Sequence, residues 1–306
     1  MYLPQPMHIP DGFLTLPVLI VLWLISLSVL GYALRRVGRE LGERQVPLMG
    51  VLAATIFAAQ MLNFSVTGGT SGHLMGAALA TILLGPWPAV VVMATVVTIQ
   101  ALIFQDGGLL ALGANLFNMA ILAVWVAYFA YTSLKRLLAG QKSLFVSGFV
   151  TAWLSIFIAA LATGLELALS GTSPANIAIP AMGFIHALIG IGEGLITTGA
   201  LAFLRLVRPD LMENTQKVEK KVWLGGLGLA ILLALLAPLA STHPDGLEWV
   251  AEQYGFLEAA RPPLYTLIPD YVMPGIKNET LATILAGLLG VVIVAVVTQG
   301  ISRVRK

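Results

Sequence analysis

The sequence predicts an all-α, polytopic membrane protein, and three observations carry that reading. Of 306 residues, 58% are hydrophobic and only 10% charged, where a soluble domain carries about a quarter charged residues. The apolar residues gather in runs long enough to cross a hydrocarbon core of about 30 Å as helices. The basic residues alternate between the ends of those runs. Such a chain has too little polar surface to cover a soluble globule and too much apolar mass to stay disordered. It contains no cysteine, which excludes a disulfide frame, a Cys-type zinc site and a thiol nucleophile.

Nine spans are expected, at 14–34, 47–63, 73–84, 87–105, 113–134, 144–169, 180–205, 222–240 and 280–302. The first opens at Leu14 and closes on Arg35 and Arg36. The third is short and stops at Leu84-Gly85-Pro86-Trp87-Pro88, where proline ends one helix and starts the next. Residues 73–105 therefore read as a helical hairpin. The first seven spans make a body of residues 1–206, the charged stretch 207–221 a cytoplasmic linker, and 222–306 a two-span appendix. Within the appendix, 241–279 is the longest aqueous loop, with six carboxylates against Arg261 and Lys277. No internal repeat or low-complexity tract interrupts this plan.

Basic residues fix the orientation through the positive-inside rule. With the amino terminus outside, the inner segments hold Arg35, Arg36, Arg39 and Arg44; Lys135, Arg136 and Lys142; Arg205, Arg208, Lys217, Lys220 and Lys221; and Arg303, Arg305 and Lys306. Only Arg261 and Lys277 fall outside, so the carboxyl terminus is expected in the cytoplasm and the membrane is the cell's plasma membrane. The net charge of +2 is thus a record of topology and no basic face for nucleic acid. Met1–Pro6 lacks a basic n-region and does not read as a signal peptide.

Several chemistries have no signature. The chain lacks a G-x-x-x-x-G-K-[ST] phosphate loop, an H-E-x-x-H pair and a G-x-S-x-G elbow, so it is not expected to hydrolyse ATP itself, and no enzyme signature of these kinds is present. Four histidines remain: His8, His73, His186 and His243. Two of them, His8 before the first span and His73 after the glycine-rich run 65–72, fall at the outer face. Neutral imidazole is the commonest side-chain ligand of nickel, cobalt, copper and zinc; interfacial histidines bonded to backbone or water are the plain alternative. His186 and Glu193 lie seven apart on one helix face, an intramembrane polar pair expected deeper than His8 and His73. Asn63, Asn115 and Asn118 are candidates to orient the histidines, with Asn63 placed best. Gly190, Gly192 and Gly194 read as packing glycines, and His243 as a loop residue.

Four strings carry a resemblance. Met7-His8-Ile9-Pro10-Asp11-Gly12-Phe13-Leu14, the segment 63–74 ending in Gly72-His73-Leu74, Asp106-Gly107-Gly108 through Asn115, and 186–194 occur in that order. They resemble the signatures of the CbiM/NikM family, the substrate-binding membrane subunits of energy-coupling factor transporters for cobalt or nickel. Pro244-Asp245-Gly246-Leu247-Glu248 spells the motif of the PDGLE domain, a NikN-like partner here fused to the body. The resemblance implies Ni²⁺ or Co²⁺ as transported substrate, with no organic cofactor. It implies ligation by the backbone nitrogen of Met7, the backbone and imidazole nitrogens of His8, and the imidazole of His73. It further implies a transmembrane coupling subunit and two cytoplasmic ATPases as partners. A nitrogen set suits nickel(II), with cobalt(II) close behind, whereas calcium and magnesium prefer oxygen; the fusion tilts the choice slightly to nickel. Two rivals stay open: a secondary ion-coupled metal transporter, and a membrane metalloenzyme using Asp11 or Asp106.

One departure matters. The family's site uses a free terminal amine, while six residues precede Met7. A peptide nitrogen binds metal only after losing its proton, which weakens affinity at neutral pH. Translation from Met7 is the favoured expectation. The intact-protein mass checks it: a mass lacking Met1–Pro6 is expected, and tight nickel binding by a chain that retains Met1 would sink the free-amine version.

Overall fold

The computed structural model describes residues 7–40, 45–138, 141–207 and 220–303. Met1–Pro6, most of the expected 207–221 linker, and Arg44, Arg208, Lys217, Arg305 and Lys306 lie outside the described residues. The architecture is helical, as expected, and the described residues add one two-stranded hairpin.

The elements follow the apolar runs. Helix α1 (Leu16–Glu40) and α2 (Gln45–Gln60) precede the antiparallel pair β1 (Phe64–Val66) and β2 (Thr70–Gly72). Next come α3 (Ala77–Leu84) and α4 (Pro86–Ile99), which runs on into a π-helical turn, Gln100–Phe104. A continuous rod then combines α5 (Leu112–Asn115), a second π-helical stretch (Leu116–Leu122) and α6 (Ala123–Leu137). The body closes with α7 (Gln141–Leu169) and α8 (Ala175–Val207). The C-terminal part holds α9 (Lys220–Leu236), the short α10 (Gly246–Tyr254) and α11 (Glu279–Arg303).

Six described helices are long and apolar enough to cross a membrane, and Val46–Gln60 and Trp223–Leu239 are shorter apolar helices. Helix α3 has eight residues, about 12 Å of rise, and reaches less than half way across a hydrocarbon core of about 30 Å. It turns into α4 at Gly85, whose φ of 80° is the left-handed region that glycine tolerates. Pro86 then occupies the first helical position, where a missing N–H costs nothing.

Burial separates inner helices from lipid-facing ones. Ala89 through Val97 of α4 are all buried, so this helix is apolar all round and forms the centre of the bundle. Helix α1 instead shows Leu16, Ile20, Leu24 and Leu27 outward, an apolar face suited to lipid. Helices α7 and α8 form the most extensive helix pair, and small residues allow their approach. A Cβ on Gly164 would stand 2.9 Å from Ile179 Cα, and one on Gly190 would stand 2.8 Å from Trp153 Cδ1. Gly192 and Gly194 likewise face Phe64 and Phe149, so all three glycines of the 190–194 run serve packing. The two long helices of the appendix do not stand apart: α9 and α11 both pack on α2.

Helix α1 follows the 7–14 segment, the rod from Leu112 follows the 106–108 turn, and α8 follows Ser170 and Thr172, which bond Thr15 and Phe13; the three finish near Arg35–Arg39, Lys135–Arg136 and Arg205. The basic residues therefore sit at the opposite end from the loops described below.

Inside the bundle, Gln100 Nε2 donates to Gln60 Oε1 at 2.8 Å, and Gln60 Nε2 donates to the Met75 carbonyl at 2.8 Å. Both glutamines are fully buried, so each bond satisfies a group that water cannot reach. Gln60→Leu keeps the volume but strands the Gln100 amide and the Met75 carbonyl. A loss of about 1–3 kcal/mol is expected, read as a lower melting temperature of the detergent-solubilised chain.

Candidate metal centre

Three loops meet at one end of the bundle. The first is the strap Met7–Leu14, in which Ile9 and Phe13 are buried apolar anchors. Asn115 holds the strap as a strand would, its Oδ1 accepting from Ile9 N at 3.0 Å and its Nδ2 donating to Ile9 O at 3.1 Å. The second loop, Asp106-Gly107-Gly108, lies across the strap. Gly108 N donates to Ile9 O at 2.9 Å. A Cβ on Gly107 would meet His8 Cβ at 3.0 Å, and one on Gly108 would meet Asp11 Oδ1 at 2.1 Å. The two glycines are what let the loops lie in contact. Asp11 then accepts from Leu109 N and Ala111 N at 3.2 and 3.0 Å, which makes it a structural carboxylate.

The third loop is the hairpin and its exit, 64–76. Gly68 and Gly69 turn it with φ of 94° and 79°. Gly72 packs on Ile189 of α8 so closely that a Cβ would stand 2.4 Å from its Cγ2. His73 follows, and its ring centroid lies 5.8 Å from that of His8, edge to face.

A cavity of about 90 Å³ opens between these loops and α7–α8; its lining includes Met7, His8, His73, His186, Asn115 and Asn118. Each of the three imidazoles engages a carbonyl through Nδ1: His8 with Asp106 O at 3.3 Å, His73 with Leu74 O at 3.1 Å, and His186 with Met182 O at 2.9 Å. A carbonyl only accepts, so Nδ1 carries the proton and Nε2 keeps the lone pair. His8 Nε2 is buried and has no hydrogen-bond partner among the described residues. A buried polar atom left in this way calls for a specific partner. Among the described residues no three His, Cys, Asp or Glu side chains converge to ligand distance.

The C-terminal domain supplies the remaining wall. Asp245, Gly246 and Leu247 line the same cavity, and a Cβ on Gly246 would meet His186 Cε1 at 2.8 Å. The motif is fastened to the hairpin: Ser71 N donates to Pro244 O at 2.8 Å, Ser71 Oγ donates to His243 O at 2.8 Å, and Ser71 bridges to Asp245. Asp245 also caps α10, accepting from Glu248 N at 2.7 Å. Burial pushes the Asp245 carboxyl above its ordinary range, and burial with the nearby Glu252 raises Glu248 to about 7.

The geometry redistributes the residues expected from sequence. Met7, His8 and His73 come together as expected. His186 joins them at the cavity instead of lying deeper, because the 72–76 segment is drawn down alongside the middle of α8. Glu193 does not pair with His186. It accepts from Met75 N at 2.6 Å and Gly76 N at 3.1 Å, just beyond His73. Asn63 is not at the cavity; its carbonyl accepts from Ser241 N at 2.8 Å. Asn115 does the orienting instead, and Asn118 bonds Thr163 and Glu166 of α7 at 3.2 and 2.9 Å. His243 contributes a backbone carbonyl from its loop. Sequence reasoning gave no orienting role to Asp106, which accepts from Met7 N at 2.8 Å and stands 3.4 Å from His8 Nδ1. Its place in the Asp-Gly-Gly string was the available signal.

Glu193 is fully buried and holds two main-chain N–H groups that have no other partner in the described contacts. Glu193→Ala strands both, at a cost of about 1–3 kcal/mol, and releases the segment that carries His73. A lower metal-free melting temperature together with weaker Ni²⁺ binding is expected; an unchanged melting temperature would contradict this role.

Comparison with known proteins agrees with the geometry. Residues 8–211 match the family model described as the cobalt uptake substrate-specific transmembrane region, and 220–306 match the PDGLE domain. A protein of Archaeoglobus fulgidus named putative fused nickel transport protein NikMN is 39% identical over 97% of this chain and 98% of its own length. A cobalt transport protein CbiM of Sorangium cellulosum is 34% identical over 70% of this chain and 97% of its own. A crystal structure of a transition metal transporter, 35% identical, covers 68% of this chain and 98% of its own with a TM-score of 0.61. The chain, a multi-pass membrane transport protein, belongs to the CbiM/NikM family and carries a NikN-like PDGLE domain fused at its carboxyl end.

Proposed function

We propose that this chain captures Ni²⁺ or Co²⁺ from outside the cell in the cavity beneath the Met7–Leu14 strap. Its ligands are the imidazoles of His8 and His73 with the main-chain nitrogens of Met7 and His8, and His186 stands beside them as a further imidazole. The observation that carries the reading is His8 Nε2, buried with no partner among the described residues, in a cavity that His8 shares with His73. Fused nickel and cobalt transport proteins among the relatives support the same cargo class. Imidazole and main-chain nitrogen favour borderline ions such as nickel and cobalt over calcium and magnesium.

The transport reading follows from the parts present and their division. Residues 1–206 form the metal-binding body and 222–306 the appendix that roofs it, joined through 207–221 on the cytoplasmic side. The amino terminus faces out and the carboxyl terminus in, as the placement of basic residues supports. Power comes from a separate transmembrane coupling subunit and two ATPases of the energy-coupling factor type.

At neutral pH, a Met7 nitrogen that is a free amine carries a proton and faces the Asp106 carboxylate. Metal must displace that proton, so affinity is expected to rise with pH. Titration of the purified chain with Ni²⁺ and Co²⁺ tests the site: His8→Ala and His73→Ala are each expected to weaken binding at least about 100-fold, at the upper end of what even orienting residues contribute. Binding unchanged in both variants would overturn the assignment. Proteoliposome uptake driven by a proton gradient without ATPase subunits would overturn the transport reading in favour of a secondary transporter.

A further inference from the structure

The PDGLE motif is not the only part of the C-terminal domain that reaches the site. The segment 265–271 docks on the π-helical end of α4, two residues ahead of Asp106. Tyr265 Oη donates to Leu102 O at 2.8 Å, Leu267 N to Gln105 Oε1 at 3.0 Å, and Ile268 N to Ile103 O at 3.1 Å. The receiving turn is itself unusual. Gln105 is left-handed with φ of 55°, and Asp106 N closes the π-helix on Gln100 O at 3.1 Å. π-Helical turns and left-handed non-glycine residues are both enriched at functional sites.

The docked segment ends in a second strained pair. Asp270 and Tyr271 have φ of 52° and 57°, a region that is strained for non-glycine residues and persists only where surrounding contacts enforce it. The result is a precise aim. The Tyr271 ring stacks on Phe104 at 4.8 Å and 16°, and its hydroxyl donates to Asp106 Oδ2. The other carboxylate oxygen, Oδ1, accepts from Met7 N at 2.8 Å and faces His8 Nδ1 at 3.4 Å. Tyr271 and Asp106 are both buried, so water does not substitute for either bond.

We propose that Tyr271 is a positioning residue for the metal site, acting through Asp106. By occupying Oδ2 it fixes the carboxylate so that Oδ1 holds the Met7 nitrogen and steadies the His8 ring, with Nε2 toward the cavity. The C-terminal domain thereby sets the ligand geometry of the N-terminal one. This inference rests on reading the cavity as the metal site. It goes beyond that reading by making metal affinity depend on a side chain 165 residues from Asp106, through which it acts. A hydrophobic plug would need the ring of Tyr271 but not its hydroxyl.

The test uses the full chain, with Ni²⁺ alone as probe, and compares wild type, Tyr271→Phe, Asp106→Asn, the double variant and His8→Ala by calorimetric titration. Tyr271→Phe keeps the stacked ring and is expected to weaken Ni²⁺ binding by 10–100-fold, the range found for groups that orient metal ligands. Asp106→Asn is expected to lose a comparable factor, and the double variant to lose no more than the worse single one, since both act through one bond. The Co²⁺ d–d absorption band is expected to shift in Tyr271→Phe. Wild-type affinity in Tyr271→Phe overturns the proposal even if its melting temperature falls, because that pattern belongs to a packing residue. Fully multiplicative losses in the double variant overturn it as well. Loss of binding in His8→Ala with none in Tyr271→Phe removes only this proposal; wild-type binding in both removes the metal-site reading with it.

Discussion

The buried carboxylate of Asp106 is the point at which the loop end of the molecule is tied together. One oxygen accepts from the Met7 nitrogen and faces His8, and the other accepts from Tyr271. A carboxylate removed from water is tolerable only while its hydrogen bonds are made. The strap before α1, the turn after α4 and the loop before α11 therefore cannot separate without leaving a buried carboxyl group poorly satisfied. Asn115, Asp11 and the glycines at 107 and 108 extend the same arrangement along the strap. The bundle beneath needs only to present the ends of α4 and α5 and the flank of α8 at the right places.

Much of this was legible from residue order, for identifiable reasons. Apolar runs bounded by basic residues mark helices whatever their neighbours, so the rods could be read directly. The break at Gly85-Pro86 could be read because those two residues permit little else. His8 and His73 stood out as donors next to glycine-rich turns. What could not be read depends on docking between distant segments. Asn63 and Asn115 are equivalent as letters, and only the path of the strap makes Asn115 the partner of Ile9. The length of α8 between His186 and Glu193 measured rise along that helix. It did not measure depth below the site, because the 72–76 segment descends beside it. Tyr271 carried no signal at all: its role arises from two left-handed residues and a π-helical turn.

The site also explains why a transporter that handles a charged ion can be built from so apolar a chain. The proposed set of imidazoles and main-chain nitrogens needs no carboxylate cage of the kind that calcium and magnesium require. The two acidic groups nearest the ligands, Asp106 and Asp245, are spent on backbone and hydroxyl donors. On the proposed ligand set, preference for borderline ions and economy of buried charge go together. The fused C-terminal domain adds a roof, through Gly246 against His186, and a brace, through Tyr271 against Asp106.

X-ray absorption at the nickel edge of the metal-loaded full-length chain addresses the central claim most directly. An inner shell of nitrogen only, with the outer-shell scattering of at least two imidazoles and no sulfur, is the predicted result. A shell dominated by oxygen, or one without imidazole scattering, would contradict a metal centre built on His8 and His73.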